Sequence, residues 1–271
     1  MQRRVSPAFY VVAILYSLVS LVPFVWSIYT SFKPTAGVYD TWVPLSKLTL
    51  QSYKYLLTSP QVSFMQWLLN SVIVAVIVTI GNLIVNTLAG YAFARFRFPA
   101  KGPLFMVFLA VMMIPGQVVL VPMYILLAHL GWINTYQGLT IPFLMSPFMI
   151  FLTRQFFLGM PNELEEAAKV DGLGPWGIFF KIFLPLSRPL IATQTIFTFQ
   201  GNWNSFLWTS LLESSQNMYT LPVGLNNLYG QYNAYWNQVL AGVLLLTIPM
   251  IIIFFIFQRQ FVQGISTSGI K

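Results

Sequence analysis

The chain has 271 residues, 57% hydrophobic and 7% charged, with a mean hydropathy of +0.71; an ordinary soluble domain carries roughly 25% charged residues, so a soluble globular fold is excluded. The net charge of +8 does not point to nucleic acid, because lysine and arginine flanking membrane helices follow from topology alone. The absence of cysteine excludes disulfides, thiol nucleophiles and thiolate metal sites.

Apolar runs of about 20 residues, enough to cross a bilayer, recur along the chain. Lipid obliges every backbone N–H and C=O to be bonded internally, and the short alternating segments of a barrel are missing. The expected class is therefore an all-α integral membrane protein. Six spans are predicted. The first covers residues 7–31 and follows Arg3 and Arg4 as a signal sequence would. It is longer than a signal core and no small-residue cleavage site closes it, so it reads as a retained helix, kinked at Pro23. The second covers residues 68–94, the third 104–127, and the fourth 139–157 with Pro142 and Pro147. The fifth covers residues 190–212 and the sixth 239–258, making one transmembrane domain over residues 1–271. No inverted repeat of the secondary-transporter kind is visible.

Orientation follows from the basic residues. With the N-terminus inside, the cytoplasmic segments hold Arg3, Arg4, Arg95, Arg97, Lys101, Arg154, Lys169, Lys181, Arg188, Arg259 and Lys271. The outer loops hold only Lys33, Lys47 and Lys54, a ratio of eleven to three that places both termini in the cytoplasm. Two outer segments are long, residues 33–66 and 213–238, and the second is nearly uncharged and rich in Asn, Gln and Tyr. His129 falls in a short outer loop and reads as a surface or structural residue.

The largest cytoplasmic loop, residues 159–189, is chemically unusual. Of six acidic residues in the chain, four (Glu163, Glu165, Glu166 and Asp171) fall there within nine positions. Pro161 suits the first turn of a helix, and the three glutamates then meet the positive end of its dipole. Leu164, Ala167 and Ala168 share one narrow side, and Gly172 supplies a left-handed stop. Pro175 starts a second helix with Ile178, Phe179, Ile182, Phe183 and Leu186 on one apolar side, before Pro185 and Pro189 bend the chain into span five. Such a helix suits a groove on another protein. Acids at a helix start are also simply good capping, so the residues alone leave both readings open. A metal site is disfavoured, because no histidine accompanies Glu163 and Glu166.

The stretch EEAAKVDGLGPWGIFFKIFLPLSRP resembles the Glu-Ala-Ala signature of membrane subunits of bacterial ABC importers. Its places are filled by Glu166, Ala167 and Ala168, then Gly172, then Ile182, Leu184 and Pro185. GYAFARFRFPAKGPLF, GNWNSFLWTSLL and the tail QRQFVQGISTSGIK resemble the carbohydrate branch, of maltose and multiple-sugar type. The resemblance implies a type I importer permease fold in the bacterial inner membrane, paired with a second permease. It further implies two ATPase subunits beneath, which bind ATP and Mg, and a solute-binding protein outside. It assigns ATPase coupling to Glu163, Glu166, Ala167, Ala168, Asp171, Gly172, Ile182, Leu184 and Pro185. The tail residues Gln258, Arg259, Gly264, Ser268 and Gly269 join in coupling, and Leu225, Asn226, Asn227, Tyr229 and Gln231 meet the binding protein. No G-x-x-x-x-G-K-[ST] loop is present, so the chain is not itself the nucleotide hydrolase and carries no cofactor.

Polar residues inside spans are costly in lipid and face a cavity or a partner helix. Asn70, Asn82, Asn86, Gln200, Asn202 and Asn204 are the candidates for a translocation path, with Trp203 and Trp208 as rings on which a sugar can stack. Asn and Ser also glue membrane helices together, so packing is the competing reading. A membrane enzyme is disfavoured, since G-x-S-x-G and H-E-x-x-H are both missing. The remaining alternatives are an importer of glycerol-3-phosphate and an ATP-independent channel or carrier. A phosphate calls for Arg or Lys at the outer path, where spans two to six offer none, so a neutral sugar, oligosaccharide or polyol is favoured.

Overall fold

Helices joined by short turns make up the chain in the computed structural model, which describes residues 6–229 and 235–268. They gather into two compact units. One is made from the chain up to Met65 together with Val223–Pro249, the other from Gln66–Pro222 and the chain from Met250 onward.

In the first unit, α1 (Pro7–Ser31) begins on a proline, where the missing N–H is harmless, and carries Pro23 inside. Its side chains from Phe9 to Ile28 are largely exposed and apolar all round, as in a helix surrounded by lipid or by another membrane chain. Only its end is fastened. The Tyr29 hydroxyl accepts from the Val43 N–H at 2.6 Å and donates to the Val43 carbonyl at 2.7 Å. The Ser31 hydroxyl meets that of Tyr53, on α2 (Gln51–Thr58), at 2.8 Å. Lys33, counted above among the outer-loop charges, is buried. Its Nζ donates to the Asp40 carbonyl at 2.7 Å and lies 4.8 Å from the ring centroids of both Trp26 and Tyr29. A carbonyl and two ring faces take the place of water around the ammonium.

The second unit is arranged on α3 (Phe64–Arg95), an uninterrupted helix of 32 residues without proline. Around it lie α4 (Lys101–Met112), α5 (Leu120–His129), α6 (Tyr136–Thr140) and α7 (Pro147–Leu158). The loop helices follow: α8 (Glu163–Val170), α9 (Pro175–Ile178) and α10 (Leu184–Leu186). Next come α11 (Arg188–Trp203) and α12 (Leu207–Leu212); α13 (Leu221–Asn226) from Val223 and the long α14 (Trp236–Ser268) as far as Pro249 are counted in the first unit.

Where one helix is expected over residues 104–127, two form. Pro115 and Gly116 fall in the break between α4 and α5, where proline removes a donor and restricts the residue before it. Residues 190–212 are likewise split, between Trp203 and Leu207. Among the described residues, four apolar stretches are long enough to cross a membrane: Pro7–Ser31, Phe64–Arg95, Tyr136–Leu158 and Trp236–Arg259. The last belongs to a helix that continues to Ser268, past the expected end at residue 258.

Candidate functional site

α8 forms where the acids predicted a helix, with Glu163, Glu165 and Glu166 in its first turn. Pro161, expected inside that turn, lies just before it, and Asn162 is the N-cap. The helix stops as its glycine dictates. Gly172 sits at φ +78°, its N–H bonds to the Lys169 carbonyl at 3.0 Å, and the Leu173 N–H bonds to that of Ala168 at 2.9 Å. This is a Schellman stop, with Leu173 packed against the apolar cluster that contains Ala168. One expectation is corrected here. Ala168 does not share an outward face with Ala167. It is buried against Phe157, Ile178 and Phe183, because the loop's own aromatics close over that side. The outward surface is Glu163, Leu164, Glu166, Ala167, Val170, Asp171 and Gly172.

The second loop helix is interrupted. Phe179–Phe183 is a π turn, and Ser187 donates from its hydroxyl to the Phe183 carbonyl at 2.5 Å. Pro185 follows at once and has no N–H to give the turn before it. The extra residue shifts the register, so Ile178, Phe179 and Phe183 are buried while Leu186 is exposed rather than on their face. Ile182 and Leu184 are half-buried and Pro185 is exposed.

Arg95 holds this loop to α3. Its side chain is 5% exposed. One terminal nitrogen donates to Asn162 Oδ1 at 2.5 Å, the other to the carbonyls of Phe157 and Met160 at 2.6 and 2.7 Å. Glu165 Oε2 lies 4.0 Å away and the Phe183 ring centroid 4.8 Å away. The sequence marked Arg95 only as a topology charge. Its spacing of two from Arg97 was the available hint, since on a helix end only one of such a pair can turn inward. Arg97 is the exposed one. A recess of about 690 Å³ opens beside this anchor, lined by Arg95, Arg97, Lys101, Asn162, Glu165, Glu166 and Lys169 among others. Burial, then the charges of Arg154 and Arg97, lower the Lys101 pKa, so the α3–α4 side of the recess is a crowded cationic edge.

The polar candidates inside the spans separate into two groups. Asn82 Nδ2 donates to the Phe143 carbonyl at 3.3 Å, and its Oδ1 accepts from Thr198 at 3.1 Å. Asn86 donates to the Asn82 carbonyl at 2.7 Å and accepts the Ser146 N–H at 3.0 Å. Both are buried braces between helices. Gln194, which the sequence reading passed over, belongs with them: it bonds Thr153 and, at 3.2 Å, Thr87, tying α3, α7 and α11 together. It met the same criterion of a polar group inside a span and could have been found by it. Asn70 is also committed, with Nδ2 donating to the Asn217 and Tyr219 carbonyls at 2.8 and 2.9 Å. Its Oδ1 accepts from Tyr136 at 2.6 Å. Trp203 is 1% exposed and stacked on Phe199 with rings 12° apart, so its faces are covered. Gln200 and Asn204, by contrast, stand exposed at the broken end of α11, with Asn202 half-buried and bonded to the Thr198 carbonyl at 2.8 Å.

Among the outer-loop candidates, Leu225 is core. It packs where a Cβ on Gly242 would come within 2.3 Å of its Cδ2. Asn226, Asn227 and Tyr229 are exposed, and Gln231 lies outside the described residues. In the tail, Gln258 and Arg259 lie on α14, Gly264 and Ser268 continue its helical backbone, and Gly269 lies outside the described residues.

The family described as binding-protein-dependent transport system inner membrane component matches residues 86–267, which take in Arg95, α8 and the broken α11–α12 segment. The chain is 33% identical to the arabinooligosaccharides transport system permease protein AraQ of Halalkalibacterium halodurans, over 100% of each. It is 32% identical to the lactose transport system permease protein LacG of Rhizobium radiobacter, over 96% of this chain and 94% of that one. To the sn-glycerol-3-phosphate transport system permease protein UgpE of Pectobacterium atrosepticum it is 37% identical, over 74% of this chain and 72% of that one. A chain of a bacterial ABC transporter involved in the import of the acidic polysaccharide alginate shares the fold. The TM-score is 0.83 at 22% identity, over 95% of this chain and 99% of that one.

Proposed function

This chain belongs to the family of binding-protein-dependent transport system inner membrane components, and on that premise we propose that it forms part of the path of a carbohydrate importer and couples that path to ATP hydrolysis elsewhere in the complex. It is a multi-pass inner-membrane permease and a non-catalytic subunit of an ABC transporter. A second permease completes the path, two ATPase subunits bind ATP and Mg, and an extracytoplasmic solute-binding protein delivers the cargo. Six spans with both termini inside put α8 on the ATPase side. The outward face of α8, from Glu163 to Gly172, seats in the ATPase, and the end of α14 from Gln258 reaches toward it. Asn226, Asn227 and Tyr229 turn to the binding protein.

What supports the docking role is α8 itself, a helix closed by the Gly172 stop, anchored through Arg95, and exposed along an acidic face that nothing among the described residues covers. The path is assigned to Gln200 and Asn204, because unwound backbone inside a span is tolerated where it lines a cavity. Asn70, Asn82, Asn86 and Trp203 have no place in it, since their polar atoms or ring faces are taken up by the chain. The cargo is a neutral sugar, oligosaccharide or polyol. Two relatives matched over nearly all of both chains are named for arabinooligosaccharides and lactose. Between Arg188 and Arg259 the chain has no lysine, arginine or histidine, so the broken turn offers amides without a cation for a phosphate. The relative named for sn-glycerol-3-phosphate is the observation behind the second reading.

Reconstitution with the partner permease, ATPase and binding protein tests this, with ATP hydrolysis followed across a panel of neutral sugars and glycerol-3-phosphate. A neutral oligosaccharide should stimulate hydrolysis and enter the vesicles, while the chain alone should transport nothing. Stimulation by the phosphate ester alone would overturn the cargo assignment.

A further inference from the structure

We propose that α3 is a transmission rod, gripped by α8 at its cytoplasmic end through Arg95 and gripping the outer loop at its other end through Trp67, Asn70 and Ser71. The inference rests on α8 being the ATPase contact. The cytoplasmic grip is directional. A planar guanidinium that donates to Asn162, Phe157 and Met160 from one buried position cannot slide without losing these bonds together. Its acceptors belong to the end of α7 and the entry to α8, and the ring of the π turn lies against it. A charge serving topology alone needs solvent or headgroups, as Arg97 has; Arg95 is buried instead.

The opposite end of the same helix is fastened as firmly. Trp67 Nε1 donates to the Gln216 carbonyl at 3.2 Å, Asn70 holds the carbonyls of Asn217 and Tyr219, and the Leu221 N–H donates to Ser71 Oγ at 2.7 Å. Between the grips, from Ser71 to Arg95, the helix is unbroken for about 36 Å at 1.5 Å per residue. It contains no proline, unlike α1 with Pro23 and α14 with Pro249. A displacement of α8 when the ATPases close therefore reaches residues 216–221 through one rigid element rather than through a series of packed side chains.

The test is a double-mutant cycle in the reconstituted complex, with Arg95→Ala, Asn70→Ala and both together. The readouts are binding-protein-stimulated ATP hydrolysis and uptake, alongside copurification of the ATPase. If one rod joins the two grips, each single variant lowers stimulation about tenfold, and the double is no worse than the worse single. The ATPase stays attached in all three. Losses that multiply in the double variant mean two independent sites and overturn the proposal, as does undiminished stimulation in Arg95→Ala. Loss of the ATPase from Arg95→Ala also overturns it, while leaving the docking role of α8 intact. That role fails separately if Ala167→Arg, on the outward face, leaves attachment and uptake normal. Should Arg95→Ala not accumulate, Arg95→Lys, which keeps the charge without the fork, and Asn162→Ala carry the same test.

Discussion

Glu213 is 6% exposed at the end of α12, where its Oε2 accepts the Thr220 N–H at 2.9 Å and its Oε1 has no partner among the described residues. Burial pushes its pKa up from 4.5 to about 7, against the hydrogen bonds from Thr220, which pull it down. A carboxyl raised in the folded state holds its proton there after the unfolded chain has released it. Stability is therefore greatest below about pH 4.5 and falls as pH rises toward 7, by on the order of 3 kcal/mol at most. Hydrogen exchange over residues 213–220 should show protection dropping across that window, and Glu213→Gln should flatten the profile. A pH-independent loop in the unsubstituted protein would contradict the burial argument. Residue chemistry was legible in part here. That Glu213, like Asp40, stands apart from the acidic cluster of residues 163–171 was visible in the sequence, but its burial was not.

Among the elements, α3 and α7 touch more closely than side chains allow. A Cβ at Gly90 would stand 2.4 Å from Thr153 Cβ and 3.0 Å from the Arg154 amide nitrogen. Small residues at such crossings let membrane helices approach and bring polar groups within reach. The same Thr153 accepts from Gln194. Gly90→Ala should therefore lower the melting temperature of the purified protein, with a loss of roughly 1–3 kcal/mol. Gly102→Ala, on a helix with open space at that position, should not. An equal loss in Gly102→Ala, or no loss in Gly90→Ala, would contradict the close crossing, since helix propensity alone favours alanine at both positions. Pro115 lies in the α4–α5 break, where one helix was expected over residues 104–127, and Pro185 follows the π turn, where only a bend into span five was expected. Hydrophobic periodicity missed both, because it registers how apolar a stretch is and is blind to a missing backbone donor.

At the scale of the molecule, the orientation rests on charge distribution and is directly testable, since the natural chain has no cysteine. Single cysteines at the exposed positions Asn217 and Lys169 serve as probes. A membrane-impermeant thiol reagent applied to intact cells should label Asn217→Cys and spare Lys169→Cys until the membrane is broken. The reverse pattern would invert the topology and remove α8 from the ATPase. The exposed apolar length of α1 belongs to this scale too, as a surface that only lipid or another subunit satisfies.

The sequence by itself determined the membrane class, the helical composition, and the place and termination of α8. Each follows from local chemistry: apolar length, acids at a helix start, glycine at a left-handed stop. Only the tertiary structure decided that Arg95 and not Arg97 turns inward, that Ala168 is covered, and that Asn70 holds a loop. These depend on neighbours 67 and 147 residues away for Arg95 with Asn162 and for Asn70 with Asn217. An arginine or asparagine carries the same donors wherever it stands, and what it bonds is set by the helices folded against it.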